Sequence, residues 1–132
     1  MAGRGKPEIR FDAHLPEQVQ IDAYGDNGFR FAGMSHRGSL LCLPSGLHGW
    51  DPKRFSDITA KDFDRVFIDA PQIEVLLIGS GPHLLPFPEE RKAKFRQHGI
   101  MVDSMSTGAA VRTYNVLLAE KRAIAAAFIA VE

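Results

Sequence analysis

The sequence holds one cysteine, Cys42, so it can form neither an internal disulfide nor a cysteine-based zinc site, in keeping with a reducing compartment. It carries no excess charge. Sixteen Lys and Arg balance sixteen Asp and Glu, and a neutral chain lacks the broad basic field on which nucleic-acid or anionic-membrane binding draws, so no nucleic acid is expected as partner. The longest apolar run, residues 123–131, covers nine positions, whereas a membrane span needs about 20. The first residues have no apolar stretch behind their basic groups, and Glu8 and Asp12 argue against a transit peptide, so a cytoplasmic, bacterial chain is expected. The five histidines (His14, His36, His48, His83 and His98) show neither HxH nor HExxH spacing, and there is no G-x-S-x-G elbow. These absences leave no sequence signature for a zinc or serine hydrolase, and no metal or cofactor is implied.

What is present is one ordinary domain. The 132 residues are 45% apolar and 24% charged, enough to bury a core without a disulfide or metal. Residues 1–16, with Gly3, Gly5, Pro7 and Pro16, read as a flexible arm, and residues 17–132 as a single α/β domain. Alternation over residues 19–24 and 29–31 around Gly25-Asp-Asn-Gly28 predicts a β-hairpin. A third strand spans residues 38–43. Residues 44–57 then read as a long loop, broken by Pro44, Gly46, Gly49 and Pro52, with Trp50 and Phe55 as anchors or Trp50 as a partner-binding aromatic.

Thr59 suits an N-cap for a short helix carrying Phe63, Val66 and Phe67 up to Pro71. Residues 75–79 form a continuous apolar run bounded by Gly79, the mark of a strand covered on both faces, and are expected at the centre of the sheet. Pro88, Glu89, Glu90, Lys94, Arg96 and Gly99 frame a helix whose charges complement its dipole. A strand over residues 100–104, a helix over 108–121 capped by Ser106 or Thr107, and a last strand over 123–131 complete the order β-β-β-α-β-α-β-α-β. That order predicts a three-layer α/β sandwich, a central mixed sheet flanked by helices, with the hairpin at the sheet edge.

Two segments carry candidate chemistry. Gly79, Ser80 and Gly81 follow the expected central strand, where α/β sheets often bind ligands. The third glycine of a dinucleotide fingerprint is replaced by Leu84, no P-loop follows, and Glu89 and Glu90 would repel a phosphate, so a tight turn competes with a ligand contact. In the second segment, residues 107–115, helical spacing puts Gly108, Arg112 and Asn115 in one stripe behind Thr107, near a positive helix terminus. This patch suits a carboxylate or phosphate, with Ser80, Arg112 and Asn115 converging. The competing reading has Arg112 paired with Asp103 or strand-end carbonyls and Asn115 pinning a loop. Cys42 alternates with apolar neighbours and reads as core.

Gly28-Phe-Arg-Phe31, Gly38-Ser-Leu-Leu41, Leu76-Leu-Ile-Gly-Ser-Gly81, Gly99-Ile100, Met105-Ser-Thr-Gly-Ala-Ala-Val-Arg-Thr-Tyr-Asn-Val-Leu117 and Ala125-Ala-Ala-Phe-Ile129 together cover most of residues 19–131. With these segments the chain resembles the small α/β family that includes mitochondrial respiratory complex I assembly factor three and the adipogenesis-associated domain proteins. The resemblance implies a three-layer fold around a mixed sheet. It implies no catalytic set. Members often carry Cys at the position of Val111 and Asp at that of Ser106, so no thiol or carboxylate chemistry transfers. The expectation is a non-enzymatic binding or assembly protein whose partner is a protein, with subunits of a complex I-type respiratory complex as candidates. The alternative is a small-molecule anion-binding domain or cryptic enzyme in the crevice near Gly79, Gly81 and Arg112.

Overall fold

Strands with no polar face must be covered on both sides, and residues 75–79 and 124–128 are of this kind. The computed structural model describes residues 14–132. Its strands are β1 (His14–Leu15), β2 (Ala23–Gly25), β3 (Gly28–Phe31), β4 (Met34–Arg37), β5 (Ser39–Leu43), β6 (Gly46–Trp50), β7 (Val75–Gly79), β8 (Met101–Met105) and β9 (Ile124–Phe128). The helices are α1 (Asp64–Ile68), α2 (Glu89–Gln97) and α3 (Thr107–Ala119), with 3-10 turns on either side of α1. The larger sheet runs β1-β6-β5-β9-β7-β8, and a smaller one runs β2-β3-β4. In the larger sheet β7, β8 and β9 are mutually parallel, while β1, β6 and β5 join antiparallel.

Strict alternation divides the core into two faces. Leu41, Leu43, Leu76, Ile78, Ala125 and Ala127 meet Phe63, Phe87 and Phe95 from the α1 and α2 side. Leu40, Cys42, Leu77, Ile124, Ala126 and Phe128 meet Val111 and Tyr114 of α3 and Phe29 and Phe31 of the small sheet. The chain steps from β7 to β8 through α2, then back across β7 to β9 through α3. Right-handed crossovers in opposite directions put the two helices on opposite faces, which is the observed arrangement.

The three-layer α/β class with a mixed sheet is therefore the architecture, with differences of detail. The predicted hairpin makes a sheet of its own with β4, rather than extending the edge of the larger one. Only His36 of β4 is buried, so that strand shows almost no hydrophobic period. The expected loop over 44–57 contains β6. Pro44 and Ser45 occupy a two-residue turn, with Leu43 facing Gly46 across it, and Gly49 faces Leu40, so the turn residues punctuate a hairpin instead of dissolving it. β7 lies inside the sheet but next to the edge strand β8, and β9 sits nearer the middle. Of the expected arm, residues 1–13 lie outside the described residues, and His14 and Leu15 pair with His48 and Leu47 of β6. The segment expected as a strand over 19–24 becomes a strand only at Ala23, with the Asp22 N–H already donating to Arg30 O of β3 at 2.8 Å. It is fastened to α3 by side chains.

Candidate functional site

Because β7, β8 and β9 are parallel and in register, their carboxyl ends coincide: Val75–Gly79 aligns with Met101–Met105 on one side and with Ile124–Phe128 on the other. A crevice beyond such ends is where open α/β sheets bind ligands. Here the ends are first tied to one another. The Ile129 N–H donates to Gly79 O at 2.9 Å, Ser80 N–H to Met105 O at 2.8 Å and Thr107 N–H to Gly81 O at 2.8 Å. The fully buried Thr107 hydroxyl accepts the Gly81 N–H at 3.0 Å and donates to Ile129 O at 2.7 Å, so a single side chain closes the knot. Gly79 belongs to the same knot, because a Cβ there would lie 3.0 Å from Thr107 Cα and 3.1 Å from the Phe128 ring.

Ser80 is committed as well. Its hydroxyl donates to His83 O at 2.7 Å, with Met105 O at 3.1 Å, and accepts the Leu85 N–H at 3.0 Å. This binds residues 80–85 into a fixed rim. Ser106 caps α3 by accepting the Ala109 N–H, which leaves Thr107 in the first helical position with its side chain turned to the strands.

Above this floor lies an open groove of about 810 Å³. Ser80, Gly81, Gly108 and Arg112 line it, together with Tyr24 of β2, Lys53, Arg54 and Phe55 after β6, Leu85, and residues 129–132. Gly79 and Thr107 lie beneath it. Asn115 is turned away. Its amide donates to Ile21 O and its carbonyl accepts the Ile21 N–H, both at 2.8 Å, so it pins the extended segment onto α3 as one of the two readings had it. Ser80, Arg112 and Asn115 thus do not converge.

The expected Arg112–Asp103 pair does not form. α3 packs on β7 and β9 and barely touches β8, so Asp103 stays exposed at the sheet edge, and Arg112, exposed on the groove side, has no hydrogen bond or ion pair among the described residues. Arg112→Ala is therefore expected to leave the unfolding free energy within about 0.5 kcal/mol of wild type. Urea denaturation checks this, and a loss of several times that amount would reveal a structural ion pair.

Tyr24, Lys53, Arg54 and Phe55 were not legible as site residues. Their one sequence signal is Gly108 itself, whose missing side chain makes room for the Tyr24 phenol. Two further reactive groups lie elsewhere. Cys42 is wholly buried beside the Tyr114 hydroxyl, and burial pushes its thiol well above the usual range, which leaves it without thiolate character. Ser45, His48 and Asp69 gather at the opposite end of the sheet. There the Asp69 carboxylate accepts the Ser45 N–H at 3.0 Å, so it holds the serine backbone, while Ser45 Oγ is 3.4 Å from His48 Nε2.

A family model described as a protein of unknown function (DUF498/DUF598) matches residues 21–129, from the pinned segment to the last knot residue. The chain belongs to this family. An uncharacterised protein of Rhodobacter capsulatus is 37% identical over 111 residues, covering 84% of each chain. NADH dehydrogenase [ubiquinone] 1 alpha subcomplex assembly factor 3 of Mus musculus is 31% identical over 117 residues, covering 89% of this chain and 63% of the mouse protein. The chain thus spans less than two thirds of that relative's length. Among solved structures, one described as an outer membrane protein from Bartonella henselae is 55% identical, with a TM-score of 0.86, and covers 90% of this chain and 100% of that one.

Proposed function

We propose that this chain is a non-enzymatic binding protein that assists the assembly of a complex I-type respiratory complex, meeting its protein partner from the cytoplasmic side. The observation that carries this reading is the relationship to assembly factor 3, which spans 89% of this chain and so takes in most of the α/β domain. The committed hydroxyls of Ser80 and Thr107 support it. Both are engaged with backbone groups and hold the groove floor together, which suits a binding role. No helix among the described residues is long and apolar enough to cross a membrane.

Affinity capture of the tagged chain from cells solubilised in mild detergent tests the proposal. Respiratory-complex subunits are expected in the eluate, with less assembled complex I in a deletion strain, restored by the wild-type gene. Normal complex I levels in that strain, with no respiratory subunit captured, would overturn it.

A further inference from the structure

We propose that the groove beyond β7, β8 and β9 is a carboxylate site, in which Arg112 and the Tyr24 phenol take the carboxylate while Phe55 and Leu85 hold an apolar body attached to it. The proposal starts at Gly108. A Cβ built there would lie 3.1 Å from Tyr24 Cζ and 3.6 Å from an Arg112 guanidinium nitrogen, so the phenol and the guanidinium border one point, over the first turn of α3. Neither group has a hydrogen-bond partner among the described residues. Two unspent donors therefore converge, one neutral and one cationic, at the positive end of a 13-residue helix. An exposed arginine by itself would be ordinary. Here it lines a groove beside a second donor that has no partner among the described residues.

The sign and type of ligand follow from what else lines the groove. Lys53, Arg54 and Arg112 face one acidic side chain, Glu132, and Arg54 is shared with Asp57 at 3.7 Å, so an anion is favoured. A phosphate would be cradled by backbone N–H groups at the Gly-Ser-Gly turn. Those N–H groups are spent, Ser80 on Met105 O and Gly81 on the Thr107 hydroxyl. Beside Gly108 the Arg112 guanidinium fork and the Tyr24 phenol remain, a pair that can take the two oxygens of a carboxylate without the backbone cradle a phosphate would use.

The groove, at about 810 Å³, is much larger than a carboxylate, and half-buried Phe55 and the exposed Leu85 offer apolar surface for the rest of the ligand. That ligand is either a free organic acid or an acidic side chain flanked by apolar residues on a protein partner. The chemistry at Arg112 is the same for both.

Titration calorimetry on the purified chain separates these sources. The probes are 3-phenylpropionate, its uncharged amide, inorganic phosphate, and the blocked tripeptide Phe-Glu-Phe with its Phe-Gln-Phe counterpart. Binding of the acid, the Glu peptide or both is expected, with each uncharged counterpart and phosphate weaker by about tenfold or more. Acid binding alone assigns a small molecule, and peptide binding alone a protein partner. Arg112→Ala should weaken the bound probe by about tenfold and Arg112→Lys by less, because lysine keeps the charge but loses the fork. Tyr24→Phe should weaken it by a smaller factor. Equal binding of a probe and its uncharged counterpart, phosphate binding as tightly as the carboxylates, wild-type affinity in Arg112→Ala, or no heat with either carboxylate at about 10 mM would each overturn the proposal. The site does not depend on the assembly reading, and its failure would leave the capture experiment to decide that reading.

Discussion

Thr107→Val is expected to destabilise the fold by about 2–4 kcal/mol while changing almost no volume. The side chain is fully buried, and its hydroxyl both accepts the Gly81 N–H and donates to Ile129 O. Valine fills the same space but strands both backbone groups, and each buried group left without a partner costs about 1–3 kcal/mol, partly offset here by the extra methyl. Thr107→Ser is the control. It keeps the hydroxyl and gives up one methyl group, a loss of about 1 kcal/mol. Urea unfolding of the three proteins measures the difference, and a valine variant as stable as the serine one would mean that the hydroxyl does not knit the strand ends.

Phe63→Ala should cost about 3–5 kcal/mol, a large part of the roughly 5–15 kcal/mol that holds an ordinary domain together. Phe63 ends a 3-10 turn, is 2% exposed, and sits among the rings of Trp50 at 5.7 Å, Phe87 at 5.8 Å and Phe95 at 5.1 Å, two of them edge-on. A half-open surface pocket of about 120 Å³ lies beside these rings, walled also by Glu90, Arg91 and Lys94. Phe63→Leu keeps most of the volume and should recover more than half. Denaturant midpoints of the two variants decide the matter, and a loss below about 1 kcal/mol for alanine would show that this aromatic layer repacks freely.

Much of this architecture is legible locally, because local periods report which faces must be buried. The apolar run at β7 announces a strand covered on both sides, the spacing of Val111 and Tyr114 announces the buried face of α3, and Pro88 and Gly99 bracket α2. The class, three layers around a mixed sheet, follows from these periods and from the handedness of crossovers. Even within the candidate site, the Gly108-to-Arg112 interval of one helical turn places both residues on the groove side.

The strands that escaped were those whose period is masked. β4 buries only one of its four residues, and β6 carries two glycines between prolines, so each resembles a loop until a partner strand supplies the other half of its hydrogen bonds. Partnership between distant segments is what no local pattern encodes. Asn115 finds Ile21 across 94 positions, Arg112 is left without Asp103 because α3 crosses β9 and β7 and not β8, and Tyr24 reaches Gly108 from a separate sheet. The sequence by itself determined the buried faces of β7 and α3 and which helix turn carries the glycine and the arginine. Only the tertiary structure decided which walls face them, because strand order is chosen by covering both faces of the whole sheet at once, a condition that involves every element and is written in none of them.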